Sequence, residues 1–396
     1  MERRTFLKAA AALPAFGVTV PQRTEPPGRH SSFDPWVAVH TGHLRANAAA
    51  VHRHTRVPIL AVIKNNGYGA GVVHVARALE GADHIHGFAV VKLHEAIALR
   101  DAGVRKPVLL MGPADDVDLL EIVRRSIDFM VYTPIGPVLE RAAAHSGRSA
   151  RVHVCVDTGL GRVGVPHDRA FGLIRDFARA RGVLIAGLMM TFTEDPAFDR
   201  EQLARFKTLV AQLEQAGIAS GFKHAASSYT LFQHTDAFLE MVRPGMALYG
   251  IYPEREFRKA GLVDLVPALA LKARVAYVKQ LQAGESAGYN RAYVAERPVW
   301  IATLPVGHAD GVPRAAAKGG RVRIGTSLYP IIASISASHT IVEIGLESRV
   351  QIGDEATVFD WTEGSRPEDL AAACGASVYD LTMHLNPLLP RRVIAD

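Results

Sequence analysis

At 396 residues the chain is long for one hydrophobic core, so two domains are the default expectation. With 48% hydrophobic and 21% charged residues it has the balance of an ordinary globular protein, neither a disordered tail nor a membrane bundle. The net charge of +6 is spread along the chain with no basic stripe interleaved with aromatics, which argues against nucleic acid as a partner.

The chain opens Arg3-Arg4-Thr5-Phe6-Leu7-Lys8, followed by a mild apolar run from Ala9 to Val20. This looks like a twin-arginine export signal, and the run is too short and weak to serve as a stable membrane anchor. It implies a bacterial protein exported to the periplasm or beyond; if the two arginines merely sit in a disordered start, the location is cytoplasmic. Residues 21–33, rich in Pro, Arg, Ser and His, read as a flexible linker, so 1–33 form leader and linker.

From Trp36 onward short apolar runs alternate with amphipathic helical patterns. Strands are predicted at Pro58–Ile63, His86–Val91, Pro107–Met111, Asp128–Tyr132, Arg151–Val156, Val183–Met190, Phe222–Ala225 and from Met241. Helical patterns start near Val72 and cover Lys92–Ala102, Val117–Ser126, Arg169–Arg181 and Arg200–Ala216. Eight strands alternating with helices give an α/β fold, a (β/α)8 TIM barrel over 34–265, with its site at the carboxyl ends of the strands. Past Leu265 the long helices stop. Runs at Leu271–Gln282, Trp300–Pro305, Arg321–Ile324, Tyr329–Ile335, Thr340–Ile344 and Ala356–Phe359 predict a mainly antiparallel β domain over 266–396. Only Pro367–Cys374 and Val378–Leu385 read as helical there. Of the two cysteines, Cys155 lies in an apolar strand pattern and reads as a small buried residue; one disulfide with Cys374 is the most the pair allows.

The most informative segment is Ala61-Val62-Ile63-Lys64-Asn65-Asn66-Gly67-Tyr68-Gly69-Ala70-Gly71. A lysine at the carboxyl end of a barrel strand reaches the mouth of the site, where it can form a Schiff base with a carbonyl compound. Asp157-Thr158-Gly159-Leu160-Gly161-Arg162 ends the fifth strand with a glycine turn that lets Arg162 point back over the mouth. His224-Ala225-Ala226-Ser227-Ser228 and Arg243-Pro244-Gly245-Met246 follow the seventh and eighth strands, where barrels commonly hold phosphate. The Ser228 hydroxyl with the N–H groups of Gly245 and Met246 could bind a phosphate without lysines.

Together these segments resemble the alanine racemase family over roughly Trp36 to Arg392. The resemblance implies pyridoxal 5'-phosphate as cofactor, bonded to Lys64, with Tyr68 and Ser228 on its phosphate, Arg162 at its ring oxygen and Arg243 at its ring nitrogen. A fixed cation at the ring nitrogen keeps it unprotonated, which favours proton return to Cα over group transfer. It also implies an amino-acid racemase in which Lys64 serves one face of Cα and Tyr289, in Gly288-Tyr289-Asn290-Arg291, serves the other. A tyrosine needs nearby positive charge to act as a base at neutral pH. In the family this tyrosine comes from the partner subunit, so a head-to-tail homodimer follows. A cofactor loaded in the cytoplasm suits a route that exports folded proteins.

Several pocket positions depart from the family's pattern. Cys155 stands for a lysine that orients the matching arginine, Thr191 for a histidine against the ring, and Ser227 for an asparagine. His308 replaces a tyrosine, Ala337-Ser338-His339 replaces a methionine-aspartate-glutamine segment beside the substrate, and Pro387 stands for a tyrosine on the phosphate. The essential pair survives while the lining changes, which fits a small-molecule amino-acid substrate different from or broader than alanine, met by Arg162, Ala337 and His308. No resident metal is expected, because His308 and His339 lack companion ligands. The alternatives are another barrel-type enzyme with the same cofactor, cleaving D-β-hydroxy amino acids or decarboxylating, or a binding protein without turnover.

Overall fold

A computed structural model describes residues 31–395. The twin-arginine-like leader and nearly all of the expected linker lie outside the described residues. Seven parallel strands follow one another around a ring: Ile59–Val62, Ile85–Val90, Val108–Leu110, Asp128–Val131, Ala150–Asp157, Val183–Met189 and Phe222–His224. The ring closes through 241–244. Val242 bridges Ile59 in parallel, Leu60 N–H donates to the Val242 carbonyl and Val62 N–H to that of Pro244, both at 2.9 Å. The strands read as near-continuous apolar runs because both faces are covered, by the barrel interior and by helices outside. Ile59, Phe88, Val90, Val108, Val152, Val154 and Leu188 have no exposed surface.

Helices Val72–Leu79, Leu93–Asp101, Asp116–Arg124, Gly136–Ser146, Ala170–Arg179 and Pro196–Gln215 return the chain between strands. The last begins where the Asp195 carboxylate accepts from Ala197 and Phe198 N–H at 3.0 and 3.1 Å, satisfying donors that a helix start leaves open. Helix Thr41–Thr55, which the sequence reading did not single out, is only weakly amphipathic: Asn47 and Thr55 are among its buried residues.

The second sheet has nine strands, ordered Tyr277–Leu281, Val299–Leu304, Thr340–Gly345, Ser327–Ile332, Arg321–Ile324, Glu355–Phe359, Leu269–Arg274, Trp36–His40 and Arg391–Ile394. Every pairing is antiparallel except the last, between Trp36–His40 and Arg391–Ile394. The predicted run Leu271–Gln282 is two strands, broken at 275–276, where Val275 turns to bond Asp354 and Gly353. Trp36–His40 precedes the barrel in sequence yet pairs in this sheet, in register with Leu269–Arg274. One large apolar core runs through barrel and sheet. A small separate cluster of Leu281, Ala287, Ala295, Val299, Ile301 and Ile332 underlies the hairpin that carries Tyr289.

Candidate active site

The strand Ile59–Val62 delivers Lys64 to a cavity of about 600 Å³ at the carboxyl ends of the barrel strands. The chain then does something unusual. Asn65, Asn66 and Gly67 take φ, ψ of 54°, 57°, then 56°, 45°, then 61°, 43°, and Tyr68 follows at φ 53°. Four successive residues thus make a turn of left-handed helix, a conformation costing roughly 1–2 kcal/mol for an L-residue, least for Asn and Gly. The surroundings over-determine it. Asn66 N–H donates to Glu95 Oε1 at 2.6 Å, while the Asn66 carbonyl and side chain accept from Gly71 and Val72 N–H at 2.8 and 3.3 Å. Glu95 is itself buried and takes Lys92 N–H on its other oxygen.

The turn aims Tyr68 inward, where its ring stacks on Tyr249 at 4.7 Å and meets Tyr379 edge-on at 5.7 Å. Burial, then the neighbouring Tyr379 and Tyr249, push its hydroxyl well above the usual phenol range, so it stays a neutral donor. Opposite, the Ser228 Oγ accepts from both Gly245 N–H (2.9 Å) and Ala247 N–H (3.1 Å), which leaves the serine O–H to donate elsewhere. Gly245 N–H, expected to face a phosphate, is thus turned onto Ser228. A Cβ at Gly245 would sit 2.1 Å from Tyr68 Oη. Tyr68, Ser228 and the Met246 end of the turn Met246–Tyr249 therefore form a tight hydroxyl-rich cradle suited to an anion.

Arg243 lines the same cavity, buried, with Nη1 donating to His224 Nδ1 at 2.9 Å and to the His224 carbonyl. Its Nη2 donates to the carbonyls of Met190 (2.6 Å) and Ala225 (3.3 Å). Burial, helped by nearby Arg162, pulls its pKa down to about 10, so it remains a cation at neutral pH. Arg162 is exposed on the rim. Asp157, the obvious partner, instead accepts from Gly159 and Gly161 N–H at 2.9 and 3.1 Å, and Arg162 makes no ion pair or hydrogen bond among the described residues. Cys155 is in the wall, its thiol pushed up to about 11 by burial, so it presents no anion to Arg162.

Lys64, Tyr68, Arg162, Ser228, Arg243, Gly245 and Met246 all line this one cavity, as do Cys155, Thr191 and Ser227. Tyr289, His308 and Ala337 do not. Tyr289 is 73% exposed, His308 edges a separate hollow with Arg314, Asp380 and His384, and Ala337 is on the surface. Pro387 is not on the cavity either; its carbonyl accepts from Arg391 at 2.8 Å, and the tyrosine that reaches the Tyr68 side is Tyr379. Sequence reasoning passed over Tyr379. It sits in the short helix Val378–Met383, begun by the Ser377 side chain, which was the available signal. Glu194 and Glu254 on the rim were also missed; both lie in irregular loops.

The residues present fit pyridoxal phosphate. A lysine, a hydroxyl-rich cradle suited to an anion and a buried cation line the same cavity, a set of groups that suits an aldehyde carrying a phosphate and a ring nitrogen. Among the described residues no group of His, Cys, Asp and Glu could hold a metal ion.

Comparison with known proteins agrees. Residues 39–253 match the model of the alanine racemase N-terminal domain and 268–393 that of the C-terminal domain. The chain is 32% identical over 346 residues to alanine racemase 2 of Caldanaerobacter subterraneus subsp. tengcongensis, covering 85% of this chain and 88% of that protein. It is 33% identical over 366 residues to an alanine racemase of Symbiobacterium thermophilum, covering 90% and 96%. The crystal structure of alanine racemase from D-cycloserine-producing Streptomyces lavendulae superposes with a TM-score of 0.85 at 28% identity, covering 93% of this chain and 98% of that one. The aldol-cleaving, decarboxylating and binding-only alternatives are not favoured by these matches. The chain belongs to the alanine racemase family and is a pyridoxal phosphate-dependent amino-acid racemase.

Proposed function

We propose that this racemase inverts an amino acid by moving the Cα proton between Lys64 and Tyr289 of the partner subunit, in a head-to-tail homodimer. When bound, pyridoxal phosphate supplies the electron-withdrawing carbonyl and ring that acidify Cα–H. Tyr68 and Ser228 hold the phosphate end, Arg243 keeps a fixed positive charge at the ring nitrogen, and Arg162 reaches over the rim to a carboxylate or ring oxygen. Lys64 Nζ takes or returns the proton on one face. The observation that carries the reading is the split itself: Lys64 is in a prepared cavity, while Tyr289 projects from a hairpin that contributes nothing to that cavity.

The altered lining supports a substrate other than, or broader than, alanine. Thr191 and Ser227 are small side chains on the cavity wall; His308 and Ala337, away from this cavity on the surface, would meet the substrate only across the interface of the proposed dimer. The Arg3-Arg4-Thr5-Phe6-Leu7-Lys8 start supports export by the twin-arginine route and a periplasmic or extracellular place of action. Among the described residues no helix is long and apolar enough to cross a membrane. The test is deuterium incorporation at Cα across a panel of L-amino acids in heavy water. Exchange with inversion names the substrate class; exchange without inversion removes Tyr289 from the mechanism, and no exchange with any amino acid removes the proposal.

A further inference from the structure

Arg243 is a buried cation with no carboxylate in contact among the described residues, and the barrel interior behind it holds a line of polar groups that the reaction above does not use. His224 Nε2 lies 2.9 Å from His153 Nδ1, and His153 Nε2 lies 3.4 Å from Asp128 Oδ2. Asp128 Oδ1 accepts from Arg151 Nε at 2.9 Å. Asp128 opens its strand at the amino end of the barrel, and Arg243 sits at the mouth, so the line runs through the barrel interior. His153 and His224 are 4% and 0% exposed, and Asp128 is 2% exposed.

The hydrogen atoms of this line have one consistent placement. Arg243 can only donate, so His224 Nδ1 must accept. A neutral imidazole then carries its proton on Nε2, which donates to His153 Nδ1. His153 in turn must carry its proton on Nε2, which points at Asp128. Burial and the Arg243 charge hold His224 well below the usual histidine range, consistent with a neutral ring. Burial alone would raise the Asp128 carboxyl, but the hydrogen bond from His153 and the hydrogen bond and charge of Arg151 hold it below its usual range, so it is ionised. His86 faces His224 and His153, Arg100 faces Asp128, Arg162 and Cys155 face Arg243, and Lys106 faces His86. Space for it is built in. A Cβ at Gly187 would lie 2.5 Å from His153 Nδ1.

We propose that Asp128 is the counter-charge of Arg243, acting through His153 and His224, and that these three are positioning residues that fix the guanidinium's orientation toward the cofactor. An ionised carboxylate at one end orders both tautomers, so the imidazole beside Arg243 always presents a lone pair. Reversing that order would set N–H against N–H and swing the guanidinium away. The function assigned to the line rests on the reading of Arg243 as the group that faces the cofactor ring; the tautomer order does not.

The experiment uses the full-length, cofactor-loaded protein with ¹⁵N-labelled histidine, assigning His153 and His224 by substitution. Both rings should be neutral with the proton on Nε2 at pH 7. A proton on Nδ1 of either, or an imidazolium, overturns the relay. His153→Gln, whose amide can accept from His224 and donate to Asp128, should keep the cofactor's absorption spectrum and kcat. His153→Leu and Asp128→Asn should shift the spectrum and lower kcat about 10–100-fold, the size of effect seen when a supporting partner behind a ligand is lost, with KM little changed. Asp128→Glu should restore part of it. If His153→Leu leaves spectrum and kcat as in the parent while the tautomers are as stated, the positioning role is overturned. The tautomer result needs no variant of Asp128 to fold. Failure of the racemase reading appears separately, as an absence of Cα exchange in the parent protein.

Discussion

The two ends of the proposed proton path are built in opposite ways. Around Lys64 the backbone runs through four left-handed residues, pinned by Glu95, Gly71 and Val72, with Tyr68 wedged between two other tyrosine rings. Tyr289 sits on a two-strand hairpin, Ser286–Ala287 with Tyr293–Val294, over a six-residue apolar cluster, and its side chain faces solvent. Asn290 and Arg291 beside it are also left-handed, at φ 56° and 53°. One base is oriented by the interior of its own chain, and the other is held out for something else to complete. On the proposed two-base reading both faces of Cα must be served, and the exposed end is the one that a partner subunit would complete.

The sharpest way to break this comparison is complementation. Lys64→Ala and Tyr289→Phe should each lose about 10²–10⁴-fold of racemisation, as removal of a general acid–base does. Unfolded together and refolded as a mixture, they should recover about a quarter of parent activity, since half the dimers carry one intact site of two. No recovery places both bases in one chain. A smaller effect tests the cradle. Gly245→Ala forces Tyr68 aside, an overpacking of roughly 1–3 kcal/mol, read as weaker cofactor binding in an equilibrium titration. Unchanged affinity would mean that Tyr68 is not a phosphate ligand. Glu95→Gln, which removes the charge behind the left-handed turn, should cost about 1–2 kcal/mol in urea unfolding. Tyr289→Phe, despite its effect on activity, should leave stability within about 0.5 kcal/mol, as exposed positions do. Last, the buried Cys155 thiol, with its pKa up near 11, should resist thiol reagents at pH 8 in the folded protein, with Cys374 modified first; mass spectrometry after brief labelling decides.

The barrel was legible because its strands are buried on both faces, and long apolar runs such as Val183–Met190 survive any local ambiguity. Helix Thr41–Thr55 escaped because its buried face includes Asn47, whose side chain bonds the carbonyls of Leu248 and Val266. The cavity residues followed from motifs at strand ends, where position along a strand already fixes location. Tyr379 and the rim carboxylates did not: the helix at Val378 was legible, but nothing in so short a helix tells that it packs against the barrel mouth, and irregular loops carry no periodicity at all. The line from Arg243 to Asp128 was invisible for a different reason. His153 sits inside a strand, where a polar residue reads only as an interruption, Asp128 sits at a strand start, where it reads as an ordinary boundary, and their meaning lies in which neighbouring strands they face.

The parallel pairing of Trp36–His40 with Arg391–Ile394 has a consequence during synthesis. The Thr41 hydroxyl and the Ile394 carbonyl, 3.1 Å apart, are separated by 353 positions in the chain. As the ribosome works, the first strand has no mate until Leu269–Arg274 emerges, and its second flank stays bare until the last described strand arrives. A nascent or truncated chain therefore exposes an unpaired strand edge, the kind of feature that invites aggregation and chaperone binding. This sheet therefore cannot be complete before Arg391–Ile394 has been made.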